Sequence, residues 1–288
     1  MKCIWCLQTD AQVEFRNNAH IVPKSLGGDL YCANVCIDCN HFFGTPTQAT
    51  LSVEEAIKEA FLISRVKYLH EMNEIGPHQP MVKPKSRFFD FYLHDECTLH
   101  DHSQCRSPEV NTKESFLNTD SFHKSLGRTV KRGLYKMYLE CVSASGIDAC
   151  NSKFDHIRAF SFADDNEFDL PVFYFIRRHN LIILNNDWPR HPRILVGSQR
   201  PFTYLTESSA FSEFDFMGHT FGIATTNTWH QTMQQYINAL PKNKSELFRG
   251  FLLVESFDDI DLQMHVLDSD RRPYESWIQH RRTKQMFG

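Results

Sequence analysis

Four cysteines in two C-x-x-C pairs, Cys3-Ile4-Trp5-Cys6 and Cys36-Ile37-Asp38-Cys39, open the chain. Knuckles about thirty residues apart can bring four thiolates onto one tetrahedral zinc ion, a closed set that leaves no position for substrate. Such a metal folds the segment it clamps. Its apparent binding free energy, about 10–16 kcal/mol, is enough for a short stretch to fold only when loaded. The stretch between the knuckles brings a different chemistry. His20 precedes Ile21-Val22-Pro23-Lys24-Ser25-Leu26-Gly27-Gly28, with Asn34 just before the second knuckle and Asn40-His41 just after it. An imidazole titrates near neutral pH and suits proton transfer, so zinc would be the scaffold and His20 the reacting group. A zinc ribbon without catalysis is the alternative reading, and it leaves the His, the Pro, the Gly-Gly and the Asn after Cys39 without a role.

These groups need elements to hold them. Residues 1–45 read as a knuckle, short strands around Gln12 to Phe15, a loop carrying His20, and the second knuckle running into a short helix. From Ser52 to about Met72, Val53, Ala56, Ile57, Ala60, Phe61, Ile63, Val66 and Leu69 recur at helical spacing, and Ser52 with Glu55 forms a capping box. Gly76-Pro77-His78-Gln79-Pro80, with Pro84 beyond, ends that helix and marks a boundary. Phe88 to Leu93 predicts a strand and Pro108 to Asn118 a polar loop. Ser121 to Ser143 predicts a long amphipathic helix, with Leu126, Val130, Leu134, Met137, Tyr138 and Cys141 on its core side and Lys124, Arg128, Lys131 and Arg132 on a basic one. Gly146 would stop it, and Asp155 to Phe160 would add a short helix.

Past Asp169 the pattern turns to short β-rich runs at 172–176, 181–184, 193–196, 202–205, 214–216 and 221–225, then a helix at 228–239 and a strand at 251–255. The expected class is α+β: a small zinc-stapled N-terminal module with its following helix (1–75), a connecting segment (76–120), then a helix and mainly antiparallel sheet domain (121–288) that recognises substrate or a partner.

Composition sets outer bounds. At 288 residues and 41% hydrophobic content the chain can build ordinary cores, and its apolar runs are far shorter than the roughly 20 residues of a membrane span. No secretory signal precedes Cys3, so the expected compartment is a reducing cytoplasm, where nine cysteines favour metal over disulfides. Net charge is −4, but Lys and Arg gather at 124–136, 177–200 and 271–284, and nucleic-acid binders need only a local positive groove. Cys97, His100, His102 and Cys105 offer soft ligands for a second metal, although their irregular spacing reads equally as a surface loop. Trp188 and Trp229 read as core rather than as stacking platforms for bases.

The run C-x-x-C, His20-Ile-Val-Pro-Lys-Ser-Leu-Gly-Gly28, Asn34-Val-Cys-x-x-Cys-Asn40 and Phe43-Gly44 resembles the HNH endonucleases, the ββα-metal nucleases. The continuation into a helix and a further domain is similar to restriction-like, defence-associated bacterial members. The resemblance implies a phosphodiester hydrolase acting on DNA. His20 would be the general base, Asn34 would position His20 or hold its loop, and Asn40 would bind a catalytic Mg²⁺ or Mn²⁺ with His41 as a reserve ligand. Cys3, Cys6, Cys36 and Cys39 would keep the structural Zn²⁺, and Lys24, Lys131 and Arg132 are candidate phosphate contacts. Many members place an acidic metal ligand just before the base, where this chain has Ala19. Mg²⁺ tolerates several waters in place of that ligand. A single site cuts one strand, so double-strand cleavage requires a homodimer or two sequential nicks. An RNase, or a degenerate, non-catalytic zinc module that binds nucleic acid or protein, fits the same residues.

Overall fold

The computed structural model describes residues 1–15, 19–46, 51–71, 86–92, 109–112, 120–163, 168–177, 195–196, 210–244, 248–262, 265 and 272–287. The boundary signal at 76–84, the runs at 181–184 and 202–205, Trp188 and the Cys97–Cys105 cluster lie outside them.

The fold is mixed helix and antiparallel sheet, in keeping with the α+β expectation. The N-terminal knuckle closes on short-range bonds, Cys3 N–H to the Gln8 carbonyl at 2.8 Å and Leu7 N–H to the Cys3 carbonyl at 3.0 Å. Two short antiparallel strands follow, β1 (Ala19–His20) and β2 (Tyr31–Cys32), with Ala19 opposite Cys32 and His20 opposite Tyr31. The strands expected at Gln12 to Phe15 are therefore displaced, and His20 sits on a strand, not in a loop. The reason is local. Gln12 and Val13 donate back to the Thr9 carbonyl, while the Glu14 carbonyl is taken by the N–H of Ile37 at the start of the next helix. The segment is wound into turns and has no ladder partner.

Helix α1 (Ile37–Gly44) starts on the second knuckle, with Cys36 as its N-cap. Helix α2 (Val53–Glu71) starts at Ser52, whose Oγ accepts from the Glu55 N–H at 3.1 Å. Val53, Ala56, Ile57, Ala60, Phe61, Ile63 and Val66 are buried as their spacing predicts. Strands β3 (Phe89–Tyr92) and β4 (Glu109–Thr112) pair antiparallel, so part of the expected polar loop is a strand.

Helix α3 (Asp120–Ala144) is the axis of the molecule. It packs on α2, on helix α4 (Asp155–Phe162) and on the turn at Phe257–Asp259. The basic face expected along α3 is corrected here. Lys131 and Arg132 are buried, Lys131 against Asp169 at 2.6 Å and Arg132 through Nε to the Ser161 carbonyl at 3.0 Å. Neighbouring segments cover this part of α3, and their acceptors hold these two charges, whereas Lys124 about two turns earlier stays exposed.

The sheet runs in the order β6 (Leu195–Val196), β7 (Phe211–Phe216), β8 (His219–Ala224), β5 (Val172–Arg177), β9 (Phe248–Leu253), antiparallel throughout. A two-residue turn, Met217–Gly218, closes the β7–β8 hairpin with both φ angles positive, the geometry that matches strand twist. Helix α5 (Trp229–Lys244) covers one face of the sheet through Tyr236, stacked on Phe211. Helix α6 (Arg272–Phe287), absent from the sequence expectation, docks Tyr274 and Ile278 against Ile176 and Leu252. One apolar cluster gathers buried residues from Cys3 to Leu262, apart from the group at Ile176, Leu252, Tyr274 and Ile278. No helix among the described residues is long and apolar enough to cross a membrane.

Candidate metal centre and active site

The four knuckle sulfurs converge. All lie within 4.8 Å of one another, and Cys6 Sγ and Cys36 Sγ are 3.8 Å apart. A zinc ion with sulfurs at about 2.3 Å would set the edges of its tetrahedron at about 3.8 Å, so the donor set fits that ion. Cys3, Cys36 and Cys39 are buried and Cys6 is exposed, and no described cysteine is in a disulfide. The Cys36 N–H also donates to Cys3 Sγ at 3.4 Å, a backbone donor aimed at a thiolate. The hydrogen bond from Cys39 holds the Cys3 thiol down, at about 4, and that same bond pushes Cys39 up. Burial pushes Cys6 up to about 11. Sulfurs this close repel one another as thiolates, and a divalent cation among them removes that repulsion.

His20 is half-buried on β1, its ring centroid 4.5 Å from that of Tyr31 across the strand pair. Ala19, its neighbour, is buried, faces Cys32 in the register and supplies no ligand atom. The loop after His20 turns back through Lys24–Leu26, with Leu26 fully buried and its carbonyl taken by Arg65 Nη1 of α2. Gly27 adopts φ +83°, and a side chain on Gly28 would lie 2.0 Å from the Val22 carbonyl oxygen, so both positions of the Gly-Gly pair are required by the backbone. Lys24 is exposed on this turn.

Asn34 donates through Nδ2 to Ser143 Oγ of α3 at 3.4 Å, and its carbonyl takes the Ile4 N–H at 2.9 Å. It ties both knuckles to the long helix. Asn40 is half-buried on α1, its N–H bonded to the Cys36 carbonyl at 3.0 Å, and His41 beside it is exposed. Asn40 and His41 are consecutive residues of α1, so their side chains leave the helix about 100° apart. Lys131 and Arg132 lie inside the fold, held by Asp169 and the Ser161 carbonyl.

Three neighbours of the site escaped sequence reasoning. Lys136 and Glu140 of α3 are buried, 2.9 Å apart, and the indole N–H of Trp5, between Cys3 and Cys6, donates to Glu140 at 3.1 Å. In the sequence they read as an ordinary pair one helical turn apart, and nothing in their spacing reveals the burial. Tyr31 is 48% exposed beside His20 and carries no sequence signal beyond its type.

Residues 3–54 match the family model of the HNH endonucleases. No curated protein and no solved structure matches the chain. The segment that matches the HNH endonuclease family thus carries a four-cysteine cluster that fits zinc.

Proposed function

We propose that the protein is a metal-dependent DNA endonuclease in which His20 is the general base. One observation carries this reading above the others: the segment matched to the nuclease family folds around a tetrathiolate cluster, with His20 half-exposed on β1 and Asn40 on the helix that the second knuckle starts. His20 accepts a proton from the water that attacks phosphorus, while Asn34, bonded to α3, holds the segment from which that base projects. Asn40, with His41, holds the divalent cation. That cation supplies charge neutralisation at the phosphate and at the leaving oxygen. The zinc cluster takes no part in the reaction, because four thiolates leave it no open position.

The domain at 121–288 serves recognition of substrate or of a regulatory partner, and a homodimer delivers double-strand cuts. The setting is restriction or antiphage defence in the cytoplasm, after the similarity to defence-associated members. Lys24, exposed beside His20 in the chain, is the retained phosphate contact.

The buried methyl of Ala19 favours a second reading, a module that binds nucleic acid or protein without cutting. Supercoiled plasmid and single-stranded RNA, offered side by side with Mg²⁺ or Mn²⁺, separate the readings. DNA cutting that stops on chelation is expected. Cleavage of RNA alone would make the protein an RNase, and cleavage of neither would leave the binding module.

A further inference from the structure

Beneath the β1–β2 pair lies a fully enclosed ammonium. Lys136 is 2% exposed and has three partners for its three N–H donors: Glu140 Oε2 at 2.9 Å, Glu54 Oε1 at 3.5 Å and the carbonyl oxygen of His20 at 3.3 Å. The ring of Phe43 covers it with a centroid 5.6 Å away. Each partner stands on a different element of the site. Glu140 accepts the Trp5 indole N–H between the first two cysteines, Glu54 belongs to α2, Phe43 lies on α1 three residues past Asn40, and His20 is on β1.

A buried charged pair contributes little net stability compared with apolar side chains of the same volume, so its presence calls for a geometric reason. The geometry supplies one. Strands β1 and β2 pair over two residues each, and so short a ladder is marginal in isolation. The His20 carbonyl is a strong acceptor in an enclosed place and needs a donor there. Lys136 provides it from α3, which packs on α2, α4 and β2.

We propose that Lys136 is the positioning residue of the active site: it fixes the main chain of His20, and through it the imidazole, relative to the helix that carries Asn40. Helix α3, far outside the matched segment 3–54, is then part of the nuclease site. The proposal rests on the reading of His20 as the base.

The test uses the full-length zinc-loaded protein. Lys136→Met alone leaves Glu140 and Glu54 facing each other without a cation and risks misfolding. The informative variant is therefore Lys136→Met with Glu140→Gln, which removes the two fully buried charges, leaves Glu54 with its 29% exposed side chain in reach of water, keeps the shape and retains an acceptor for the Trp5 indole. Zinc content should stay at one per chain. Amide exchange at Ile21, whose N–H bonds the Leu30 carbonyl in the same hairpin, should speed up about tenfold or more, while Ile4, bonded to Asn34, stays protected. Plasmid nicking should lose at least about tenfold in kcat with KM unchanged and the position of the pH profile unmoved. Ile21 protection equal to wild type, or kcat within about twofold, overturns the proposal. The exchange arm needs no catalysis, so it decides the role of Lys136 even if His20→Ala cuts as well as wild type and the base assignment falls.

Discussion

Cys36 joins the scaffold and the chemistry most directly, because it is at once a ligand of the four-sulfur cluster and the N-cap of α1. Replacing it with Ser should strip the zinc, seen as a fall from about one ion per chain to none by metal analysis. The β1–β2 pair should then lose its exchange protection, because the metal supplies the folding energy of so small a segment. Zinc-free protein with that pair intact would contradict the scaffold role. Glu140 gives a second residue-level outcome. Burial pushes its carboxyl up to about 7 from an ordinary 4.5, against the opposing pull of Lys136. For Lys136, burial alone would lower the ammonium, but Glu140 and Glu54 outweigh it and leave it raised. Folded protein thus keeps the Glu140 proton where the unfolded chain has released it. Its contribution to stability is complete below about pH 4.5 and is lost as pH rises through about 7. The Tm of wild type should fall relative to Glu140→Gln between about pH 5 and about pH 8, and parallel curves in thermal unfolding would contradict the buried carboxyl. The four-cysteine cluster was legible because ligand chemistry allows few residue types and few spacings. Lys136, Glu140 and Tyr31 were not, since only the tertiary fold decides which of many similar charged or aromatic side chains comes to lie near His20.

At the scale of elements, the long helices were readable and the short strands were not. Helices α2 and α3 each repeat their apolar positions over several turns, so the period is unambiguous. Strands β1 and β2 are two residues each and lie between the two cysteine knuckles with α3 packed on β2, which no local pattern records. Helix α3 also shows why a basic stripe can mislead: Lys131 and Arg132 have partners on segments distant in sequence, and those partners decide burial. Close approach of α3 to the turn at Ser256–Phe257 depends on Gly127, where a side chain would lie 2.6 Å from the Phe257 nitrogen and from the Ser256 carbonyl carbon. Backbone atoms cannot rotate away. Gly127→Ala should therefore destabilise the protein by about 1–3 kcal/mol through overpacking, although helix propensity alone would favour Ala by about 1 kcal/mol. The midpoint of urea unfolding checks the sign, and an unchanged or higher midpoint would show that the contact is looser than described.

Across the whole molecule, a small segment matched to the HNH endonucleases is embedded in a larger fold. The matched segment ends at residue 54, yet the apolar cluster that begins at Cys3 continues to Leu262, and the ammonium beneath His20 comes from α3. The α+β class followed from the change in periodicity near residue 169, because an antiparallel sheet leaves its short β-rich runs in the sequence even where its strand order is hidden. What the sheet domain does is not written in composition: a net charge of −4 shows no excess of basic residues. The central claim, that His20 is the base of a phosphodiester hydrolase, is met most directly by one comparison. Wild type and His20→Ala, matched for zinc content, are incubated with supercoiled plasmid in Mg²⁺ or Mn²⁺, and the conversion to open circles is timed. Wild type should nick, and His20→Ala should be slower by about 10²–10⁴-fold, the usual worth of a general base. Equal rates for the two proteins, or no nicking by wild type in either metal, would contradict it.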